Sequence, residues 1–370
     1  MNRTAYQMVD CDVHSYFLNG LHDLAPYMTE AWQHKLGLGG GVPDWAKAIN
    51  GGEFSLPGNS FYRLTSSPVR MDTVPPSGNV PGSDPNFVAT QLLDEYGIDR
   101  ALLIGGPNSD LGILPNVDTT AVIAAAYNDW ICEKWLSVDE RFRAAMLIGP
   151  NKADLAVKEI ERVADRPGIA AIHMPSSRIA PGDDHFSPIY AAAEHYGLAI
   201  VAHVGGGGTY TNGPQSPFLT TYYVEGHATA TQVAQSSVAS LICHGVFERF
   251  PRLKYVFVES GFAWLPDLMW RLERNWKAHR AEIPWVTKRP LDYVVNNIRF
   301  TSQPMYEADK PEQLHAILDM MCAERTMLFA SDYPHWDFDD PRRALKDVPE
   351  NVRARMFRDN ATETFGDRLD

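Results

Sequence analysis

Short apolar runs alternate along the chain with stretches whose apolar residues recur at helical spacing. The runs predict strands at Gln7–Val13, Asp99–Ile104, Phe142–Ile148, Ile169–Met174, Leu198–His203, Lys254–Glu259, Ile298–Thr301 and Met327–Ser331. Helical periods fall between them, over Asn86–Glu95, Thr119–Leu136, Asp154–Ala164, Pro188–Tyr196, Thr229–Leu241, Trp264–Arg280 and Pro311–Cys322, with a last one from Pro341 to Phe365. A parallel strand covered on both faces reads as unbroken apolar sequence, whereas a half-exposed strand alternates; Ala101–Gly105 is of the first kind. Eight such strands, each followed by a helix, predict an α/β fold, a (β/α)8 TIM barrel made by residues 1–370 as a single domain. The rival, a doubly wound open sheet, calls for a glycine-rich phosphate turn after the first strand, and the sequence has none there.

Residues 18–85 and 204–226 interrupt this rhythm and hold no period. Both insertions follow strands, so in a barrel they are expected over the C-terminal mouth, where such folds keep their chemistry. The glycine run Gly205–Gly208 lacks the Lys-Ser/Thr pair of a phosphate loop, and is read as a hinge or a point of close backbone approach.

Composition narrows the function classes. The chain is 45% hydrophobic and 21% charged, with a formal net charge of −13, which excludes the basic face of a nucleic-acid or anionic-membrane binder. No stretch approaches the roughly 20 apolar residues of a membrane span. Cys11, Cys132, Cys243 and Cys322 are scattered without a CxxC pair, as free thiols of a reducing compartment are. The N-terminal residues lack the apolar core of a signal peptide, so the cytoplasm is the expected location.

The chemistry gathers at strand ends. The first strand closes on Asp12-Val-His14, the fourth on His173, the fifth on His203, the sixth on Glu259 and the eighth on Asp332. A single histidine at a strand end is commonly structural. Six potential ligands on five strands, all at one end, point instead to a divalent metal: zinc, manganese or iron, as one ion or two. Alternate residues of a strand share a face, so Asp12 and His14 are expected to point together into the mouth.

The segment Asp10–His14, the strand-end His203, the stretch Gly245–Pro266 and Ser331-Asp332-Tyr333-Pro334 resemble the amidohydrolase-related group of the amidohydrolase superfamily. That group includes aminocarboxymuconate-semialdehyde decarboxylase and the resorcylate-type decarboxylases. The resemblance implies metal ligands at Asp12, His14, His203 and Asp332. Glu259 stands where many members carry a catalytic histidine, and His173 lies where binuclear relatives carry a bridging group; both are departures and both are candidate ligands. Glu259 and Asp332 are the candidate catalytic acid or base residues.

His227, His335 and Arg178 are read as substrate contacts, the arginine as a clamp for a carboxylate. His244 precedes the sixth strand and is read as structural. Trp264, Trp270 and Trp276 on one helix are read as packing, compatible with a subunit contact. Three functions stay open. One is a metal-dependent hydrolase or non-oxidative decarboxylase of a small carboxylated or aromatic compound. The second is a dinuclear iron/manganese oxygenase on the same barrel. The third is a non-catalytic subunit partnering a related active chain. A homo-oligomer, or a hetero-oligomer with such a chain, is the expected assembly.

Overall fold

The unbroken apolar runs become strands whose two faces are both covered, one by the barrel interior and one by helices. The computed structural model describes residues 7–38, 69–105, 111–204 and 223–370. The strands are β1 (Met8–His14), β2 (Ile98–Ile104), β3 (Phe142–Leu147), β4 (Ile169–His173), β5 (Ala199–His203), β6 (Tyr255–Val258), β7 (Ile298–Thr301) and β8 (Met327–Leu328). All pair in parallel and in chain order. The chain after β8 returns to β1: Cys11 N–H donates to Phe329 O at 3.0 Å, Asp332 N–H to Asp12 O at 3.1 Å and His14 N–H to Tyr333 O at 2.8 Å. The result is a (β/α)8 barrel.

Val9, Cys11, Leu102, Ile104, Val201, Val256, Val258 and Leu328 belong to one buried cluster inside the sheet, which Ala361, Phe365 and Leu369 join. Arg100 and Arg143, near the N-terminal ends of β2 and β3, donate to the carbonyls of Leu369 and Arg368. The end of the chain therefore seals the floor of the barrel, opposite the candidate ligands.

The helices follow the expected periods with instructive exceptions. The helix Pro290–Asn297 was not legible as a separate period; it is eight residues long, starts on a proline that supplies a helical φ, and runs directly into β7. The stretch expected to be helical from Pro341 becomes helical only at Glu350, because Pro349 has no N–H to donate and stands at the N-cap. Gly20–Tyr27 and Glu30–Lys35 are short helical turns inside the first insertion. Of the tryptophan series, Trp276 is buried, Trp264 donates to Ser260 O at 3.0 Å, and Trp270 is 64% exposed. No described helix is long and apolar enough to cross a membrane.

Residues 39–68 and 205–222, with the Gly205–Gly208 run, lie outside the described residues. The rest of the first insertion does reach the mouth. Arg70 N–H donates to Pro334 O at 2.9 Å and Tyr16 N–H to Gly82 O at 2.8 Å. Gly82 has a φ of +71°, and a Cβ there would meet Tyr16 at 3.0 Å and His14 O at 3.1 Å, so only glycine lets this segment lie against the end of β1.

Candidate metal centre

A bulge in β1 aims the first two donors. Asp10 pairs with Ala101 and Val13 with Leu103, so three steps along β1 face two along β2. Val9 before the bulge and Cys11 within it belong to the interior cluster, whereas Val13 beyond it joins the outer core, which turns Asp12 and His14 inward. Asp10 fixes the turn, since its Oδ1 accepts from Asp12 N–H at 3.2 Å and Ser331 N–H at 2.9 Å, and its Oδ2 accepts from the Ser331 hydroxyl at 2.5 Å. One buried carboxylate thus positions both Asp12 and the segment that carries Asp332.

Asp12, His14, His203 and Asp332 each offer one ligand atom to a set in which all atoms lie within 4.8 Å of one another, and all four residues are buried. His14 Nε2 lies 3.5 Å from Asp12 Oδ1 and 2.9 Å from Asp332 Oδ1; His203 Nε2 lies 3.5 Å from Asp12 Oδ2. His14 Nδ1–H donates to Ile104 O at 3.2 Å and His203 Nδ1–H to Val204 O, which leaves both Nε2 atoms to face the carboxylates. Among the described residues, buried Asp12 Oδ1 and Oδ2, His203 Nε2 and Asp332 Oδ2 find no hydrogen-bond partner. Orphaned acceptors in a dry site are costly unless a cation satisfies them. Two imidazoles and two carboxylates make a mixed N/O donor set, which fits a divalent metal.

The remaining candidates divide. His173 is fully buried but stands outside that set. The ladder explains why: His173 pairs with Val201, two residues below His203 on β5, a drop of roughly 6–7 Å along the strand. Glu259 follows β6 with a φ of +51°, its N–H donating to Thr301 Oγ1 at 3.0 Å, and its Oε2 lies 3.5 Å from His203 Nε2. His227 faces Glu259 Oε1 at 3.4 Å and Asp337 Oδ2 at 3.5 Å. His335 Nδ1 contacts Asp332 Oδ1 at 2.8 Å, and its Nε2 shares a 2.6 Å hydrogen bond with the Tyr16 hydroxyl. Arg178 lines a cavity of about 270 Å³ together with His203, Met174, Phe257 and Ser260. His244 stands at the C-terminal cap of the helix Thr231–Cys243 and is not a member of the donor set.

A model of the amidohydrolase family matches residues 12–366, nearly the whole chain. The protein belongs to the amidohydrolase family. Solved structures with the same fold include an amidohydrolase from Mycobacterium avium subsp. paratuberculosis, 21% identical, covering 98% of this chain and 100% of that one, with a TM-score of 0.71. A 5-carboxyvanillate decarboxylase from Sphingomonas paucimobilis is 19% identical, covering 98% and 99%, with a TM-score of 0.64. Another from Novosphingobium aromaticivorans, complexed with manganese and 4-hydroxy-3-methoxy-5-nitrobenzoic acid, is 16% identical, covering 98% and 96%, with a TM-score of 0.66.

The electrostatics of this amidohydrolase describe a site that seeks positive charge. Burial opposes the charged form of His203, yet Asp12 and Glu259 raise it to about 9. Asp337 and Glu259 hold His227 up to about 10. Burial, then the like charge of Asp332, pushes Glu259 above the usual carboxylate range, and burial does the same to Asp332. His173 is pushed down to about 3 by burial and by the neighbouring His203 and His14, so it stays neutral. The imidazolium charges therefore sit where a bound cation would satisfy the same carboxylates. Sequence reasoning missed Asp10, Tyr16 and Asp337. Asp337 follows His335 by two residues, a spacing that could have marked it beside the strand-eight ligand.

Proposed function

We propose that this amidohydrolase is a divalent-cation-dependent, non-oxidative decarboxylase of small carboxylated aromatic compounds. The observation that carries the reading is the buried set Asp12, His14, His203 and Asp332, with its orphaned lone pairs turned toward one point at the barrel mouth. A divalent ion held by these residues supplies Lewis-acid polarisation and a fixed anchor for substrate oxygens. Around it, the backbone carbonyls of Ile104 and Val204 fix the two imidazoles, and His335 holds Asp332. Glu259, which burial favours in the protonated form, is placed to give its proton to the ring carbon as the C–C bond breaks. The bonding pair stays on that carbon and CO₂ departs, so no oxidant is needed. Arg178, which shares a cavity with His203, is suited to hold a further anionic substituent in a bidentate fashion. The relatives named as carboxyvanillate decarboxylases support the substrate class. The retained donor set speaks for catalysis rather than a purely scaffolding barrel.

The test is CO₂ release from a panel of hydroxylated aromatic carboxylates by protein loaded with manganese. The expected result is turnover of at least one member, lost in His203→Ala. Turnover of ester or amide panels with no CO₂ release from any carboxylate would overturn the reading in favour of hydrolysis.

A further inference from the structure

The cavity that Arg178 shares with His203 does not lie inside the barrel. On β5 and β6, Val201, Val256 and Val258 belong to the interior cluster, whereas Ala202, Tyr255 and Phe257, which line the cavity, pack with the outer core. The facing wall is made by Ala234, Ser236, Ser237 and Ser240 of the helix Thr231–Cys243. The space is therefore a cleft between sheet and helix. One end reaches the metal centre, because His203, Val204 and Ser260, the residue after Glu259, also line it. The other end reaches Tyr255, which pairs with Ile200, three residues before His203, so the cleft descends roughly 10 Å along the strands.

Helix and sheet layers pack with few voids larger than a water molecule. Here the helix turns small side chains toward Phe257 and Tyr255, and about 270 Å³ stays open between the layers. An engineered apolar cavity of about 150 Å³ already takes up benzene. The wall opposite the helix is tied in place: Gly182 N–H donates to Ser240 Oγ at 3.0 Å, the Tyr190 hydroxyl to Pro181 O at 2.6 Å and the Ser177 hydroxyl to Asn151 Oδ1 at 2.6 Å. Among the described residues the lining holds one arginine, Arg178, and no carboxylate, although the chain carries 46 acidic residues and a net charge of −13. A preformed, largely apolar slot with a lone guanidinium matches an apolar body that carries an anion.

We infer that this cleft takes a second arm of the substrate, an apolar chain that crosses the rim at Val204 and Ser260, lies against Phe257 and Met174, and presents a terminal carboxylate to Arg178. The inference rests on the proposed function and narrows its substrate class to aromatic carboxylates that bear an anionic alkyl side chain. The reacting carboxylate stays at the metal centre, and the arm supplies binding energy remote from the bond that breaks.

The experiment is isothermal titration of the manganese-loaded full chain with three probes: salicylate, 4-butylsalicylate and 4-(3-carboxypropyl)salicylate. Each buried methylene contributes about fourfold in affinity. The wild type is therefore expected to bind the butyl probe about tenfold or more tighter than salicylate, and the carboxypropyl probe about tenfold tighter again. Ser237→Phe, which fills the cleft from the helix and is not part of the metal centre, is expected to erase both gains and leave salicylate affinity unchanged. Arg178→Gln is expected to erase only the gain from the terminal carboxylate. Equal wild-type affinity for the three probes, or gains that survive in Ser237→Phe, overturns the inference and leaves the proposed function standing. If Ser237→Phe fails to fold, the wild-type ratios and Arg178→Gln decide. If salicylate binds no better with manganese than without it, the proposed function falls and the inference falls with it.

Discussion

Asp10 is not a member of the donor set, yet it offers a sharp test of how the barrel positions its metal centre. Its carboxylate is fully buried and ties the bulge of β1 to the segment before Asp332 through two backbone N–H groups and the Ser331 hydroxyl. Asp10→Ala strands both N–H groups away from water, at about 1–3 kcal/mol each, so a loss of about 2–6 kcal/mol is expected. Asp10→Asn keeps an oxygen for both N–H groups and should lose far less. The two variants also differ in pH dependence. Burial holds the Asp10 carboxyl at about 7, against an ordinary value of 3.8. Between those values the unfolded chain releases a proton that the native state retains, so this residue's contribution falls as pH rises through the window and is level above it. At about 1.4 kcal/mol per unit, wild type should lose roughly 4 kcal/mol relative to Asp10→Asn between pH 4 and pH 8. Urea unfolding of the cation-free protein at several pH values reads both effects. An Ala variant within about 0.5 kcal/mol of wild type, or a gap between wild type and Asn that does not move with pH, would show that Asp10 does not hold the bulge in this way.

Other outcomes follow from the same geometry. Glu259→Gln should lower kcat by about 100-fold or more, and an unchanged kcat would remove it from the chemistry. Arg178→Ala should raise KM for a substrate with a second carboxylate by about tenfold or more with kcat little changed; an equal effect on a substrate lacking that group contradicts a clamp role. Manganese affinity of the wild type should rise about tenfold per pH unit up to about pH 9, because binding displaces the proton that Asp12 and Glu259 hold on His203. Isothermal titration across that range measures this, and a flat profile contradicts a role for His203 as ligand.

Most of the barrel was legible because a strand buried on both faces leaves an unbroken apolar signature, and all eight predicted runs overlap observed strands. The exception at β8 is physical. The run was expected to reach Ser331, but its ladder to β7 stops at Leu328, while the chain beyond keeps its hydrogen bonds to β1. Asp12, His14, His203 and Asp332 could be picked out as strand-end residues. What aims the first pair inward is the one-residue bulge after Asp10, which no periodicity reveals. His173 looked equivalent to His203 because sequence carries no information on register, and a two-residue offset separates them. Asp337 sits in a loop with no period, and only the fold brings it to His227 and Glu259.

In the proposed centre, residues from β1, β5 and the end of β8 share one cation. A crystal soaked in manganese(II), with an anomalous difference map at the manganese edge, addresses it directly. A peak is expected at about 2.0–2.3 Å from donor atoms of Asp12, His14, His203 and Asp332. A map with no peak among those four side chains, at a manganese concentration that supports turnover, would contradict it.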